Sequence, residues 1–251
     1  MSDIDFQNGF ICGMATKGLI YSINPLRDNS SQALLHCEDF SDSSAFAHAV
    51  EGFGTPLITS TRSKFGDSSI YFDGNSYVAI GSNTTFDPGY SDFTIEMWIN
   101  LSVSITTKRG CLFGKYYYDG SREKYYFLEL LNGKINAAAS NQYGSFSNIY
   151  HMGTGALSWN LNQWYHIALV KGDGEIMLFR DGIRQTIVSD KYYKPYDGVT
   201  PLPQIQSRAT IGDFIRTGLV RPFVGYMDEV RISDVARWTA NFYPPGTQYA
   251  R

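Results

Sequence analysis

The chain has 251 residues, 43% hydrophobic and 18% charged, with a formal net charge of −3. This is an ordinary globular composition, long enough for a sizeable core. It gives no ground for nucleic acid or an anionic membrane as partner, since both call for basic patches. The cysteines, Cys12, Cys37 and Cys111, are odd in number and widely spaced without a CxxC pair, which argues against a disulfide framework, a zinc site or a dithiol redox motif.

Aromatics reach 15% and 24 glycines punctuate short β-branched and aromatic runs, while Ala/Leu/Glu/Lys blocks that favour helix are missing, so an all-β protein is expected. Met1 to Phe6 carries acids where a signal peptide carries bases, and the apolar stretch Gly9 to Ile20 is interrupted by Lys17 and by glycines. Neither a secretion signal nor membrane insertion is expected, and synthesis in a cytoplasm is. Residues 1–32 end in Asn24-Pro25 and the polar run Arg27 to Gln32, which reads as an N-terminal arm or docking segment, or as added strands of the main domain.

From Ala33 to the C-terminus, strand candidates follow one another between turn signals at intervals of about 8–15 residues, the spacing of a sandwich. Ala33–Cys37, Ser69–Phe72 and Tyr77–Ile80 come first, with turns at Asp73-Gly74-Asn75 and Asp87-Pro88-Gly89. Phe93–Leu101 is the clearest strand: Phe93, Ile95, Met97, Ile99 and Leu101 face a core, and Trp98 on the other side either covers a loop or lines an open surface. Trp164–Val170 and Glu175–Arg180 flank the turn Lys171-Gly-Asp-Gly174, Asp181-Gly182 supplies another, and Ala209–Gly212 follows. Asp234–Trp238 has room for one helical turn, and Pro244-Pro245 stops the regular structure.

The run Phe223–Ile232 alternates so that Val224, Tyr226, Asp228, Val230 and Ile232 share one face, expected to point into the core, with Gly225, Met227, Glu229 and Arg231 opposite. Asp228 then lies amid apolar neighbours, where an unpaired carboxylate is costly. An arginine, a set of backbone and hydroxyl donors, or a hard cation such as Ca2+ would each neutralise it. Three tyrosine-rich stretches, Lys115–Gly120, Lys124–Tyr126 and Lys191–Asp197, read as loops. They nominate Tyr116, Tyr117, Tyr118, Tyr125, Tyr126, Tyr192, Tyr193 and Tyr196 as ligand-binding residues, because a phenol offers a flat apolar face and a polar edge to a sugar. The same residues could instead pack in the core or build an oligomer interface.

No carboxylate pair on one face suits a glycosidase. Asp228 and Glu229 are expected to point apart, the four histidines are scattered, His166 sits on a strong strand in a structural role, and no HExxH, GxSxG, P-loop or GxGxxG pattern occurs. A non-enzymatic protein is expected.

In order, Leu34-Leu-His36, Phe40–Ser44, Lys64–Gly74, Asp92–Trp98, Trp164–Ala168, Phe179–Gly182, Ile211-Gly212 and Gly225–Ser233 resemble the laminin G-like, concanavalin A-like jelly roll over residues 33–250. The resemblance implies an antiparallel two-sheet β-sandwich in a single domain, 33–251. Val235–Pro245 is similar to versions of the domain in bacteriophage structural proteins. That implies a virion component, made in the host cytoplasm, with a lectin-like domain for binding surface glycans or for decorating capsid or tail as part of a tail fibre or coat. The N-terminal arm would meet capsid or tail proteins, and a homo-oligomer is the expected state. Relatives that bind Ca2+ use an aspartate on the last core strand with oxygens near the first strand. By that resemblance Asp228 is the last-strand carboxylate, with Glu38, Asp39 and Asp73 as companion ligands.

Overall fold

A computed structural model describes residues 30–82, 85–118, 120, 123–140, 149–188, 195–215 and 221–250. Fifteen strands form two antiparallel sheets, with no helix among the described residues. The expected helical turn at Asp234–Trp238 is instead a bend followed by irregular chain. Most of the expected N-terminal arm lies outside the described residues. Its last two residues, Ser31 and Gln32, belong to the first strand, so the sandwich begins before Ala33.

One sheet holds eight strands in the order β13 (Ile183–Arg184), β12 (Glu175–Arg180), β11 (Trp164–Gly172), β6 (Phe93–Leu101), β15 (Val224–Ser233), β4 (Ser69–Asp73) and β3 (Leu57–Thr59), with β1 (Ser31–Leu35) also on β15. The other holds seven: β10 (Ile149–Gly153), β9 (Lys134–Ser140), β8 (Glu123–Leu131), β7 (Arg109–Tyr118), β14 (Ala209–Ile211), β5 (Tyr77–Ile80) and β2 (Val50–Phe53). The stretches Lys115–Tyr118 and Lys124–Tyr126, expected as loops, are strand residues of β7 and β8 paired with one another. Their tyrosines are β-favouring side chains on a half-buried pleat.

Alternation places the main core between the sheets. Phe93, Ile95, Met97, Ile99 and Leu101 of β6 face Leu128 and Leu130 of β8 and Val78 and Ile80 of β5 in one cluster. The two-residue turns at Asp173-Gly174 and Asp181-Gly182 have positive φ at both positions, 54° and 73°, then 52° and 74°. That is the twist-matched geometry Asp-Gly favours between antiparallel strands.

β15 pairs along one side with β6 and along the other with two strands set end to end: Val224–Met227 with β4, then Val230–Ser233 with β1. At the junction a bulge interrupts the β6 ladder between Asp228 and Arg231, and Glu229 takes φ 50°. The extra residue reverses the alternation. Met227 faces the core before the bulge, and Val230 and Ile232 face it after. The expectation of a single apolar face from Val224 to Ile232 is therefore corrected: Tyr226 and Asp228 lie on the outer side, Tyr226 stacked obliquely on Tyr71 at 4.9 Å.

That outer side is itself covered. Trp238 and Phe242, stacked at 3.8 Å, cap Ala168, Val170, Met177 and Phe179, and Tyr249 closes over Leu34 and Trp98. Trp98 thus lies under a loop, edge-on to Phe65 and with the Lys64 ammonium 4.0 Å from its ring.

Gly225 fixes the closest approach of β15 to β6. A Cβ there would stand 2.2 Å from the Asn100 carbonyl oxygen, at a φ of +150°. Gly225→Ala is expected to cost about 3 kcal/mol or more, read as a lowered midpoint in urea unfolding with an unchanged slope.

Candidate functional site

The outer face of the seven-stranded sheet carries a hollow of about 360 Å³. Phe53 and Tyr77 are register partners on β2 and β5, and their rings stack at 4.8 Å with planes 4° apart, forming one wall. The floor is made of short side chains, Ala79 and Thr210, themselves cross-strand partners. Tyr116 of β7 forms the opposite wall. Its ring is held edge-on by Phe214 at 5.7 Å, and its hydroxyl donates to Glu123 Oε1 at 3.0 Å. Phe214 reaches it across Gly114, where a Cβ would come within 2.6 Å of the Phe214 ring.

The rim is polar on one side and apolar on the other. Arg208 donates to Glu51 Oε2 at 2.7 Å and to the Ala79 carbonyl at 2.8 Å, which holds its guanidinium at the lip. Ile215 on the far side is exposed. Burial pushes the Tyr77 phenol above its usual range, so it stays protonated and able to donate. Flat rings either side of a short-chain floor, with fixed donors at the edge, form a slot for a ligand that is apolar on its faces and polar around its rim.

Of the eight tyrosines expected to bind ligand, Tyr116 lines this hollow. Tyr125 shares its face but packs on Phe214 and Phe127. Tyr126 is a core residue whose hydroxyl donates to the Phe86 carbonyl, and Tyr117 leans on that core from the rim. Tyr118 is exposed and donates to the Gly120 carbonyl at 2.8 Å. Tyr196 sits edge-on to Tyr150 and donates to the Thr200 carbonyl. Tyr192 and Tyr193 lie outside the described residues. Sequence reading did not nominate Phe53, Tyr77 or Arg208. The signal available was local: Tyr77 and Ala79 alternate with core-facing Val78 and Ile80, which assigns both to the outer face.

The expected cation ligands do not converge. Asp228 is fully buried, and its Oδ2 accepts the backbone N–H groups of Lys64 at 2.7 Å and Phe65 at 3.2 Å. Glu38 accepts from the Asp67 N–H and Ser68 Oγ, Asp39 from Ser41, and Asp73 from the Asn75 N–H and Ser76 Oγ in its own turn. Among the described residues no group of three or more His, Cys, Asp or Glu side chains is placed to hold a metal ion. A calcium site needs six to eight oxygens, and these four carboxylates do not fit one. Of the three ways to neutralise Asp228, the structure uses backbone donors.

Next to Asp228 a network of charges is sealed beneath the C-terminal segment. Glu96, fully buried, meets Arg231 at 2.6 Å, His166 at 3.0 Å and the Tyr249 hydroxyl at 3.3 Å. Burial alone would raise its carboxyl, but the Arg231, His166 and Arg237 charges outweigh that and hold it at about 2. Glu229 accepts from His36 Nδ1 at 2.8 Å and from the Tyr249 N–H at 2.7 Å. Among the described residues no ion pair reaches Asp228, and the Lys64 ammonium acts on it only from a distance. Burial first, and the Glu229 charge second, lift its carboxyl to about 7 against the backbone N–H groups of Lys64, Phe65 and Glu229.

A native carboxyl at about 7, against 3.8 for the free group, binds its proton more tightly folded than unfolded. Stability therefore falls as pH rises between those values and levels off above them. Asp228→Asn keeps an acceptor for both N–H groups and removes the titration. It should be more stable than the parent by about 2–4 kcal/mol at pH 8, with the gain shrinking to nothing near pH 4, as read from urea unfolding across that range.

Comparison with known proteins places the fold. Residues 72–240 match a laminin G family model described as the concanavalin A-like lectin/glucanases superfamily. Comparison with curated proteins returns no match. Among solved structures, the ligand-binding domain of botulinum neurotoxin serotype D in complex with N-acetylneuraminic acid is similar at a TM-score of 0.59 and 11% identity, over 83% of this chain and 48% of that one. The binding domain of botulinum neurotoxin DC in complex with SialylT gives 0.58 and 12%, over 82% and 48%. The binding domain of Paraclostridial Mosquitocidal Protein 1 gives 0.54 and 15%, over 83% and 49%. The chain spans about half the length of these structures, and at such identities the likeness is one of fold. With the family model covering more than half of the chain and the two antiparallel sheets on the page, the protein belongs to the concanavalin A-like lectin/glucanases superfamily.

Proposed function

We propose that the protein is a non-enzymatic glycan-binding module that takes a sugar ring into the hollow between the Phe53–Tyr77 stack and Tyr116. The observation that carries this is the slot itself: aromatic walls on two sides, an Ala79–Thr210 floor and Arg208 at the lip. A pyranose has an apolar C–H face and an equatorial ring of hydroxyls, the complement of that arrangement. Two of the similar structures are complexes with N-acetylneuraminic acid and with SialylT, which supports a carbohydrate as the ligand class. Among the described residues no aspartate or glutamate lines the hollow, and the bordering Glu51 and Glu123 are engaged by Arg208 and Tyr116, which supports binding without hydrolysis.

The setting we propose is the surface of a bacteriophage particle, where the residues ahead of Ser30 anchor a homo-oligomer and the sandwich is presented outward. Support comes from the similarity of Val235–Pro245 to segments of phage structural proteins, and closed symmetry is the common state of such assemblies. In this setting the ligand is a glycan of the host surface.

A glycan array that includes sialylated and neutral oligosaccharides, probed with the purified protein, tests the reading. Binding is expected, with Tyr116→Ala and Phe53→Ala each weakening it about tenfold, Tyr118→Ala leaving it unchanged, and chelator without effect. If no glycan binds while the protein assembles into a defined oligomer, a purely structural decoration role replaces this one.

A further inference from the structure

A second cavity, of about 390 Å³, opens between the two sheets at the end where β6 begins and β15 finishes. Phe93, Ile95 and Ile232 of the main core reach its surface, and Phe46 and Phe86 stand at its aromatic side. The acidic side chains around it are engaged: Asp87 by the buried Lys115 ammonium at 2.6 Å, Asp92 by Lys171 at 3.9 Å, and Asp234 by the Gln32 amide at 2.8 Å. What the cavity offers is therefore apolar surface. Phe46, 54% exposed, extends that surface outward at the rim, and an apolar patch framed by polar residues marks a place where something docks.

The wall that bears Phe46 is formed in advance. The buried carboxylate of Asp42 accepts from His48 Nδ1 at 2.7 Å and from the backbone N–H groups of Leu34, Ser44 and His48, each at 2.9 Å. The Phe46 ring stacks on His48 at 5.6 Å, and Phe86 meets His48 edge-on at 5.1 Å. One acidic group thereby ties the aromatic loop to β1.

The described chain begins at this cavity. The Ser30 carbonyl accepts from the Asp234 N–H at 3.1 Å, and Gln32 and Asp234 both line the opening. The 29 residues ahead of Ser30 lie outside the described residues. Their sequence carries an apolar triplet, Leu19-Ile20-Tyr21, followed by Asn24-Pro25. Asn-Pro favours the start of a turn, with Asn at its first position and Pro at its second. A reversal over residues 24–27 sets Tyr21 level with Ser30 and Leu19 level with Gln32, at the opening. The eight residues 22–29 span at most roughly 26 Å, and closing so short a loop costs little chain entropy.

We infer that Leu19, Ile20 and Tyr21 fold back from an Asn24-Pro25 turn and occupy this cavity in the same chain, packing against Phe46, Phe86 and the exposed end of the core. The driving force is apolar area removed from water on both partners. Docking here fixes the direction in which residues 1–18 leave the sandwich. It is independent of the hollow and of what the hollow binds.

Thiol reactivity of the full chain tests this, because Cys37 and Cys111 are buried, at 1% and 0% exposure, and Cys12→Ser removes the third cysteine. In that background Ile20→Cys puts a reporter in the docked triplet and Asp5→Cys puts one well ahead of it. Iodoacetamide is expected to modify the Ile20→Cys thiol at least about tenfold more slowly than the Asp5→Cys thiol in native protein, and at the same rate in urea. Adding Phe46→Asp should remove that protection and the milder Phe46→Ala should reduce it severalfold, while Cys37 and Cys111 stay unreactive and so report an intact sandwich. Equal native rates, or protection that persists in both Phe46 variants, would overturn the inference. Protection that is lost on dilution as a dimer dissociates would assign the cavity to the arm of a second copy and overturn docking within one chain. None of these variants touches the hollow, so glycan binding is an independent readout.

Discussion

The contact on which the architecture depends is the buried pairing of Glu96 with Arg231 across β6 and β15. Burying two charges repays its desolvation only with close geometry and further hydrogen bonds, and here His166 and the Tyr249 hydroxyl supply them, with the Arg237 guanidinium 3.6 Å away adding charge. The bulge at Asp228–Glu229 makes that pairing possible. Unbroken alternation would send Arg231 between the sheets and turn Val230 and Ile232 outward. One inserted residue puts the guanidinium on the same side as Glu96 and returns both aliphatic side chains to the core. The same kink leaves a gap between β1 and β4, filled by the Lys64 and Phe65 backbone over Asp228 and by Tyr249 over Glu229.

The two sheets have consequently different outer faces. On the eight-stranded sheet the C-terminal segment, with Trp238, Phe242 and Tyr249, turns that face into a second interior. On the seven-stranded sheet Phe214 and Arg221 cover β7 and β8, the guanidinium lying over the Phe127 ring at 4.2 Å, while Tyr77 of β5 and Phe53 of β2 line the hollow. The hollow lies on the part of this face left open. Binding surface on this fold is what the long connections leave uncovered, which fits the general placement of function on loops and rims of a rigid scaffold.

Much of this was legible in the chain. β6 is found residue for residue, because a nine-residue alternation admits one assignment, and Asp-Gly marks the hairpins. The last strand was misread for a physical reason. A bulge at Glu229 has no glycine to announce it, since the positive φ falls on a charged residue held by its tertiary contacts. Asp228 was rightly singled out as a carboxylate in need of partners, but its donors are main-chain amides some 160 residues away, and amides leave no mark in sequence. The tyrosine-rich stretches looked like loops because lysines and glycines surround them. Their strand pairing becomes visible only when β7 is laid beside β8, which sends Tyr126 inward and Tyr125 outward. Phe53 and Tyr77 escaped notice because each is an ordinary aromatic until register makes them neighbours.

β15 is central to the eight-stranded sheet yet nearly last in the chain, and it joins β6, β4 and β1, each of them more than 120 residues earlier. During synthesis those three strands must wait with unpaired edges until residues beyond 224 have left the ribosome. The joining of the β6–β11–β12–β13 block to β4 and β1 therefore waits for β15, in a slow step dominated by long-range closure. A chain interrupted before β15 would lose the common neighbour of three strands, and with it the sheet that supports everything else.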